Sequence, residues 1–413
     1  INIINILQKI KSILLNLLVL IVATFLITIL SAKLFFLSIS YLPPVLQTFL
    51  PKPYRILSQT SKKQTIPKDY IAIFGDSYAQ GAGDWFISTN KWLNEEFHSA
   101  HILHNILKKD VITFGKGGAS TIKGLIIDPL HSLQILRQRY KFDDPAQILI
   151  YFYEGNDLDD NIIDLKFRNP RYYNFENYGT IEKKSFMTYL DQVSKIKIEK
   201  NRFGTFTYKS DILLFLKIFR TAIKNTINNW RKRDRHNSII NHDSVPFFSI
   251  INDISNQNNI IVINNEYYLL RSNLQGPALE LSSEDLRIAV KVFDYCIEYI
   301  KKLFPESEIS IVFVPSVLSC YNLVTDVSIQ TYFDDSTEIY SKEYFISRNN
   351  YINRTIKNIA KNHNINFIDP TNKIRLSNNI LHGPEDQSHF NKEGYTLLAD
   401  YISEKIIDNG NNW

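Results

Sequence analysis

A serine hydroxyl becomes a nucleophile when an imidazole takes its proton, and the imidazole is best held when a carboxylate binds its other nitrogen. The chain carries such groups at Ser77, within Gly75-Asp76-Ser77-Tyr78, and at Asp386 and His389, within Asp386-Gln387-Ser388-His389. Asp and His three residues apart face each other across one turn. Asp386 can therefore accept the proton of one ring nitrogen and leave the other for Ser77. Two further segments offer donors for the negative charge that such an attack creates. Gly115, with Gly117 and Gly118 close behind, permits near approach of the backbone with its N–H accessible. Asn156, in Gly155-Asn156-Asp157, has a side-chain N–H to aim at a developing oxyanion. Taken singly, each has an ordinary structural use: Ser77 as a helix N-cap, the glycines as a turn, Asn156 as an Asx-turn. Asp157, Asp159 and Asp160 form a small acidic cluster that reads as a solvated loop, the alternative being a metal-binding site. His98, His101, His104, His131, His236, His242, His363 and His382 read as surface or packed residues.

Three of these segments follow directly on apolar runs that read as buried strands. Residues 70–74 (YIAIF) deliver Gly75, 111–114 deliver Gly115, and 147–153 (QILIYFY) lead through Glu154 to Gly155. Open α/β sheets place their sites at the carboxyl ends of such strands. The spacing predicts further strands over 309–314 and 365–368. It predicts helices over 97–107, 121–140, 282–304, 351–363 and 392–407. Ser282 and Asp285 have capping-box spacing, and Leu286, Val290, Phe293 and Ile297 share one face. Strands alternating with helices argue for a parallel sheet covered on both faces. Residues 158–276 break the rhythm and are too long for a plain crossover. Within them, 211–235 is apolar at Ile212, Leu213, Phe215, Leu216, Ile218 and Phe219, then basic at Arg231, Lys232, Arg233 and Arg235. It reads as a helix packed on the main domain with a solvated basic end, the alternative being a membrane-surface or substrate-contacting helix.

The 413 residues, 44% apolar and 13% aromatic, can bury a sizeable core in one large domain or two modest ones. A net charge of only +5, spread along the chain, excludes a nucleic-acid footprint. Cys296 and Cys320 form one bridge at most, or stand as two buried thiols. No Cys/His spacing suggests zinc, and neither a metal nor a cofactor is expected. Residues 12–32 carry no charge, and a run of about 20 residues at 1.5 Å each matches a hydrocarbon core of roughly 30 Å. A cleavable signal peptide would have a shorter apolar region, and Leu30 stands where its cut would want a small residue, so a retained anchor is expected. Lys9 and Lys11 favour a cytoplasmic N-terminus, with Lys33, Lys52 and Arg55 pulling the other way; the preferred arrangement puts the large domain outside the cytoplasm. Pro43, Pro44, Pro51, Pro53 and Pro67 make 34–67 a connector.

The four segments, in this order, resemble the signature blocks of the SGNH hydrolases (GDSL-like esterases and lipases): G-D-S at Gly75–Ser77, a glycine at Gly115, G-N-D at Gly155–Asp157 and D-x-x-H at Asp386–His389, followed by F-N-K-E-G-Y. The first block reads G-D-S-Y rather than G-D-S-L, and Thr113 stands where the second usually has Asn. The resemblance implies a flavodoxin-like three-layer α/β/α fold with a parallel sheet. It implies Ser77 as nucleophile, His389 as base, Asp386 as its orienting carboxylate, and an oxyanion hole of the Ser77 and Gly115 N–H groups and the Asn156 side chain. Residues 1–36 would then be the membrane anchor, 37–68 a linker, and 69–413 the hydrolase domain with an insertion over about 158–276. Residues 311–321 (IVFVPSVLSCY) look like the strand and Pro-Ser loop of anchored members linked to cell-surface polysaccharide acetylation. The implied activity is cleavage of acyl esters, chiefly O-acetyl, on envelope glycans or lipids. An O-acetyltransferase using the same residues and a non-catalytic binding protein are the alternatives, and no protein partner is implied.

Overall fold

A computed structural model describes residues 2–42, 50, 52–83, 99–168, 182–195, 215–216, 219–220, 223–224, 248–271, 274–331, 336–384 and 386–410. Phe97 and His98 of the expected helix over 97–107, most of 211–235, and His236 and His242 lie outside the described residues. The chain forms two compact units, one of residues 1–58 and 197–241, the other of residues 59–196 and 242–413.

The second unit is built on five parallel strands: β1 (Ile71–Phe74), β2 (Val111–Thr113), β3 (Gln147–Tyr153), β4 (Glu308–Val314) and β5 (Asn366–Ile368). Their order across the sheet is β5-β4-β3-β1-β2, the flavodoxin-like winding, which reverses direction between β1 and β3. Nearly every residue of β1, β3 and β4 is buried, as strands covered on both faces require. Side chains alternate between two cores. Ile71, Ile73, Leu149, Tyr151 and Val312 pack towards Leu103 and Leu398 of the helices Ser99–Leu107 and Lys392–Gly410. On the other face Phe152 meets Phe293 of the helix Ser283–Leu303 at 4.9 Å between ring centroids and Phe313 at 5.7 Å. Burying one such ring contributes about 1.5–3 kcal/mol.

The expected elements are present with shifted ends. Ser282 caps the helix Ser283–Leu303 by accepting Asp285 N–H at 3.1 Å and donating to Asp285 Oδ2 at 3.0 Å. The helix expected over 121–140 begins as a wide-turned stretch, Ile122–Ile127, and becomes α-helical at Asp128–Tyr140. Pro129 lacks the N–H to continue the upstream ladder, which explains the change. The helix expected over 351–363 starts earlier and spans Lys342–Asn362, capped by Ser341. Its first turns bury Phe345, two helical turns before Ile352, but leave Tyr344 and Ile346 exposed, so the apolar residues there do not keep to one face.

Residues 158–276 open with the helices Asp157–Ile163 and Lys183–Val193, then supply three antiparallel strands, Phe248–Ile250, Ile260–Ile263 and Glu266–Leu270. The latter two turn at Asn264 and Asn265, both at positive φ, as a two-residue hairpin requires. Asn322–Leu323 adds the fourth strand and ties this small sheet to the segment after β4. Residues 59–63, expected in a linker, lie along β2: the Gln59 side chain bonds both Thr113 N (2.9 Å) and Thr113 O (2.7 Å), and Val111 N donates to Ser61 O at 2.9 Å. They cover an otherwise open sheet edge.

In the first unit, Asn2–Leu37 is one helix, and its Leu7–Leu37 stretch has a mean hydropathy of 2.9. Leu14, Leu18 and Phe25 are each more than half exposed. The helix is long and apolar enough to cross a membrane, as an anchor or a signal sequence would be. Thr24 and Thr28 return their hydroxyls to the carbonyls of Leu20 and Thr24 at 2.8 Å, so neither hydroxyl is left unpaired.

Candidate active site

β1 ends at Phe74, and the chain turns at Gly75 with φ +147. A side chain there would meet the Tyr151 carbonyl at 2.7 Å, so only glycine allows the turn beside β3. Asp76 then caps a short turn of helix, Ser77–Gln80, by accepting Tyr78 N–H at 2.9 Å. That turn presents the Ser77 hydroxyl at the carboxyl end of the sheet.

From the other end of the chain, the loop before the helix Lys392–Gly410 brings His389 to the same place. Its Nε2 lies 2.8 Å from Ser77 Oγ, and its Nδ1 lies 2.8 Å from Asp386 Oδ2 and 3.0 Å from Oδ1. An ionised Asp386 only accepts, so Nδ1 carries the proton and Nε2 is left to accept from the serine. The His389 and Asp386 side chains are 19% and 17% exposed, enough for a reactant to reach them. Burial pushes the Asp386 carboxyl up, but the hydrogen bond and charge of His389, with the N–H groups of Ser388 and His389, outweigh it, and its pKa falls below the usual value.

Ser77 Oγ also lies 3.1 Å from Asp76 Oδ2. One proton has two acceptors, and the imidazole is nearer. Burial raises the Asp76 pKa against the pull of Tyr78 N–H, the His389 charge, and the Ser77 hydroxyl and N–H. Burial, and then the charge of Asp76, push Asp157 well up as well; its Oδ2 accepts Tyr153 N–H at 2.9 Å. Asp157, Asp159 and Asp160 are thus not a solvated loop. They are buried in the first turn of Asp157–Ile163, where a helix N-terminus favours their negative end.

Asn156 stands at the N-cap position of that helix, yet its side chain makes no cap bond, and among the described residues its buried Oδ1 has no partner. The amide is therefore not consumed by an Asx-turn. Gly115 is different. Its N–H donates to Thr113 Oγ1 at 3.0 Å, and that hydroxyl donates to Ala79 O at 2.5 Å. Thr113, in the place of the usual Asn, accepts the Gly115 N–H in this structure. Gly115 is a glycine because any Cβ would lie 2.3 Å from Gln80 N. Gly117 sits near the Ser77 Cβ but gives its N–H to Gln80 Oε1 at 2.6 Å. Gly118, at φ +62 with open space before it, is the one of the three with no hydrogen bond among the described residues.

The Pro-Ser loop after β4 is structural. Ser316 and Ser319 are buried, and Ser316 N donates to Glu154 Oε2 at 2.9 Å, just before the Gly155–Asn156 turn. Asn349 bonds the other Glu154 oxygen and Ser319 Oγ. His101, His104, His131 and His363 have ordinary partners in Thr60, Lys109 O, Val193 O and Asp294. His382 lies nearer the site. Its Nδ1 is 2.8 Å from Tyr321 Oη, which accepts Leu381 N–H at 3.0 Å, so the tyrosine donates to the ring. Cys296 and Cys320 are free, buried thiols. Among the described residues no group of three or more His, Cys, Asp or Glu is placed to hold a metal ion.

No protein-family model matches the chain, and no curated protein matches it. Solved structures similar to it include a lipolytic protein of the G-D-S-L family from Desulfitobacterium hafniense, 12% identical over 82% of this chain and 99% of that one, with a TM-score of 0.30. An acetyl xylan esterase from the rumen bacterium Butyrivibrio proteoclasticus is 11% identical over 83% of this chain and 64% of that one, with a TM-score of 0.34. A possible lipase from Chitinophaga pinensis is 10% identical over 83% and 98%, with a TM-score of 0.30.

Proposed function

We propose that this chain, which has the α/β/α fold of the SGNH hydrolases, is a serine esterase that cleaves acyl esters, chiefly O-acetyl, on cell-envelope glycans or lipids. The observation that carries the reading is the unbroken relay Ser77 Oγ–His389 Nε2–His389 Nδ1–Asp386, with both links at 2.8 Å. The envelope assignment rests on the apolar N-terminal helix, read as an anchor with the large unit outside the cytoplasm, and on the likeness of residues 311–321 to anchored relatives.

The chemistry follows from the geometry. His389 Nε2 takes the Ser77 proton as Oγ attacks the ester carbonyl, and Asp386 steadies the imidazolium. The carbonyl oxygen becomes an oxyanion, for which the Ser77 N–H, the Gly115 N–H and the Asn156 side-chain N–H are the proposed donors. His389 passes its proton to the departing alcohol, leaving an acyl-serine. A water then gives a proton to His389 and its oxygen to the acyl carbon, releasing the carboxylic acid and restoring Ser77.

The test is hydrolysis of 4-nitrophenyl acetate by the full-length protein in detergent. Ser77→Ala should abolish turnover and labelling by a fluorophosphonate probe, while the circular dichroism stays unchanged. Turnover equal to wild type in that variant would refute the reading.

A further inference from the structure

Tyr78 follows the nucleophile, at the position where the resembled family usually has leucine, and a leucine there has no polar atom. Its ring is fully buried. It lies 5.2 Å from the His389 ring, 4.3 Å from Tyr153 and 5.3 Å from Phe390, all between centroids. Its hydroxyl donates to the carbonyl oxygen of Ser388 at 2.8 Å. That oxygen belongs to the peptide unit leading into His389. The N–H of the same unit donates to Asp386 Oδ1 at 3.2 Å. One peptide plane is therefore held at both ends, by Tyr78 at its oxygen and by Asp386 at its nitrogen, while the Tyr78 ring packs against the imidazole it carries.

We propose that Tyr78 is a positioning residue that couples the nucleophile turn to the base loop, setting the distance from His389 Nε2 to Ser77 Oγ through the Ser388 carbonyl. The inference rests on the relay reading of Ser77, His389 and Asp386. The physical reason is covalent: Tyr78 is bonded to Ser77, and Ser388 to His389, so a hydrogen bond between the outer pair fixes the inner pair. Ser388 itself is exposed. Without the tyrosine hydroxyl its carbonyl can turn to water, and the His389 backbone turns with it. A displacement of about 1 Å between reacting groups costs on the order of 100-fold in rate.

The experiment compares Tyr78→Phe with Tyr70→Phe in the full-length protein. Tyr70 is equally buried, and its hydroxyl donates to Asp143 O at 3.1 Å, at the amino end of β1 and away from the site. Both variants lose one buried hydroxyl. On 4-nitrophenyl acetate, Tyr78→Phe should lose roughly 10- to 100-fold in kcat with KM within about twofold of wild type. Tyr70→Phe should keep kcat within about twofold, at a similar fall in Tm. The fluorophosphonate labelling rate constant of Ser77, which does not depend on how much of the sample is folded, should fall in Tyr78→Phe alone. Unchanged kcat and labelling in Tyr78→Phe, or an equal loss in Tyr70→Phe, would overturn the inference. Such a result with Ser77→Ala inactive sinks the positioning role and leaves the relay; an active Ser77→Ala sinks both.

Discussion

At the residue scale, two donors proposed from the sequence separate cleanly by what their hydrogen bonds already do. Among the described residues the Asn156 side chain makes no cap bond and its Oδ1 has no partner, whereas the Gly115 N–H donates to Thr113 Oγ1. Asn156→Ala should therefore lower kcat by about 10²- to 10³-fold, the cost of one oxyanion donor of about 2.7–4 kcal/mol, with little change in Tm. Gly115→Ala should lower Tm, and kcat with it, because the clash falls on the turn that carries Ser77. Its methyl would run into the Ala79–Gln80 backbone, at an overpacking cost of about 1–3 kcal/mol, so Tm falls. Kinetics on an activated acetate ester and thermal melts of both variants check the pair. The chemistry-bearing residues were legible in the sequence because their types are scarce and their order is specific. The bond from the Gly115 N–H to Thr113 was not, because it depends on a hydroxyl two residues upstream that also meets the nucleophile turn.

At the element scale, the base loop is held by contacts at its start as well as its end. His382 is fully buried against Phe390 and fixed by Tyr321. Burial, and then the charge of His389, push its pKa down from 6.5 to about 3. The folded state therefore resists a proton that the unfolded chain accepts. Stability from this group is present above about 6.5 and is lost as pH falls towards 3, at about 1.4 kcal/mol per pH unit at most. The raised carboxyls Asp76 and Asp157 work in the opposite direction, binding protons more readily when folded. A comparison of wild type with His382→Gln isolates the histidine: between pH 7 and pH 5 the Tm of the variant should fall less than that of wild type. Equal slopes would show that the ring is charged in the folded protein. The helix Lys342–Asn362 makes a parallel point about legibility. Its second half, with Ile352, Ile356 and Ile359, is plain in the sequence, but in its first turns buried Phe345 stands between exposed Tyr344 and Ile346, which blurs the signal.

At the scale of the whole molecule, one α/β body carries the site and a separate unit carries the apolar helix. The small antiparallel sheet of residues 248–270 joins the α/β body through Asn322–Leu323, directly after the Pro-Ser loop that braces Glu154. The proposed hydrolase and the alternative transferase differ only in what attacks the acyl-serine. Full-length protein given 4-nitrophenyl acetate and an oligosaccharide acceptor should release acetate and leave the acceptor unmodified. An acetylated acceptor, detected by mass spectrometry, would move the assignment to the transferase.

The sequence alone determined the elements whose signals are local. Apolar runs made β1, β3 and β4, an uncharged stretch made the N-terminal helix, and short motifs named Ser77, Asn156, Asp386 and His389, because these depend on residue type and near spacing. Tertiary structure decided what depends on distant groups meeting. It determined which glycine N–H is consumed, that the acidic residues after Asn156 are buried, and that Tyr78 reaches the Ser388 carbonyl. A hydrogen bond between residues 78 and 388 depends on the packing of the whole sheet between them, and no local pattern encodes it.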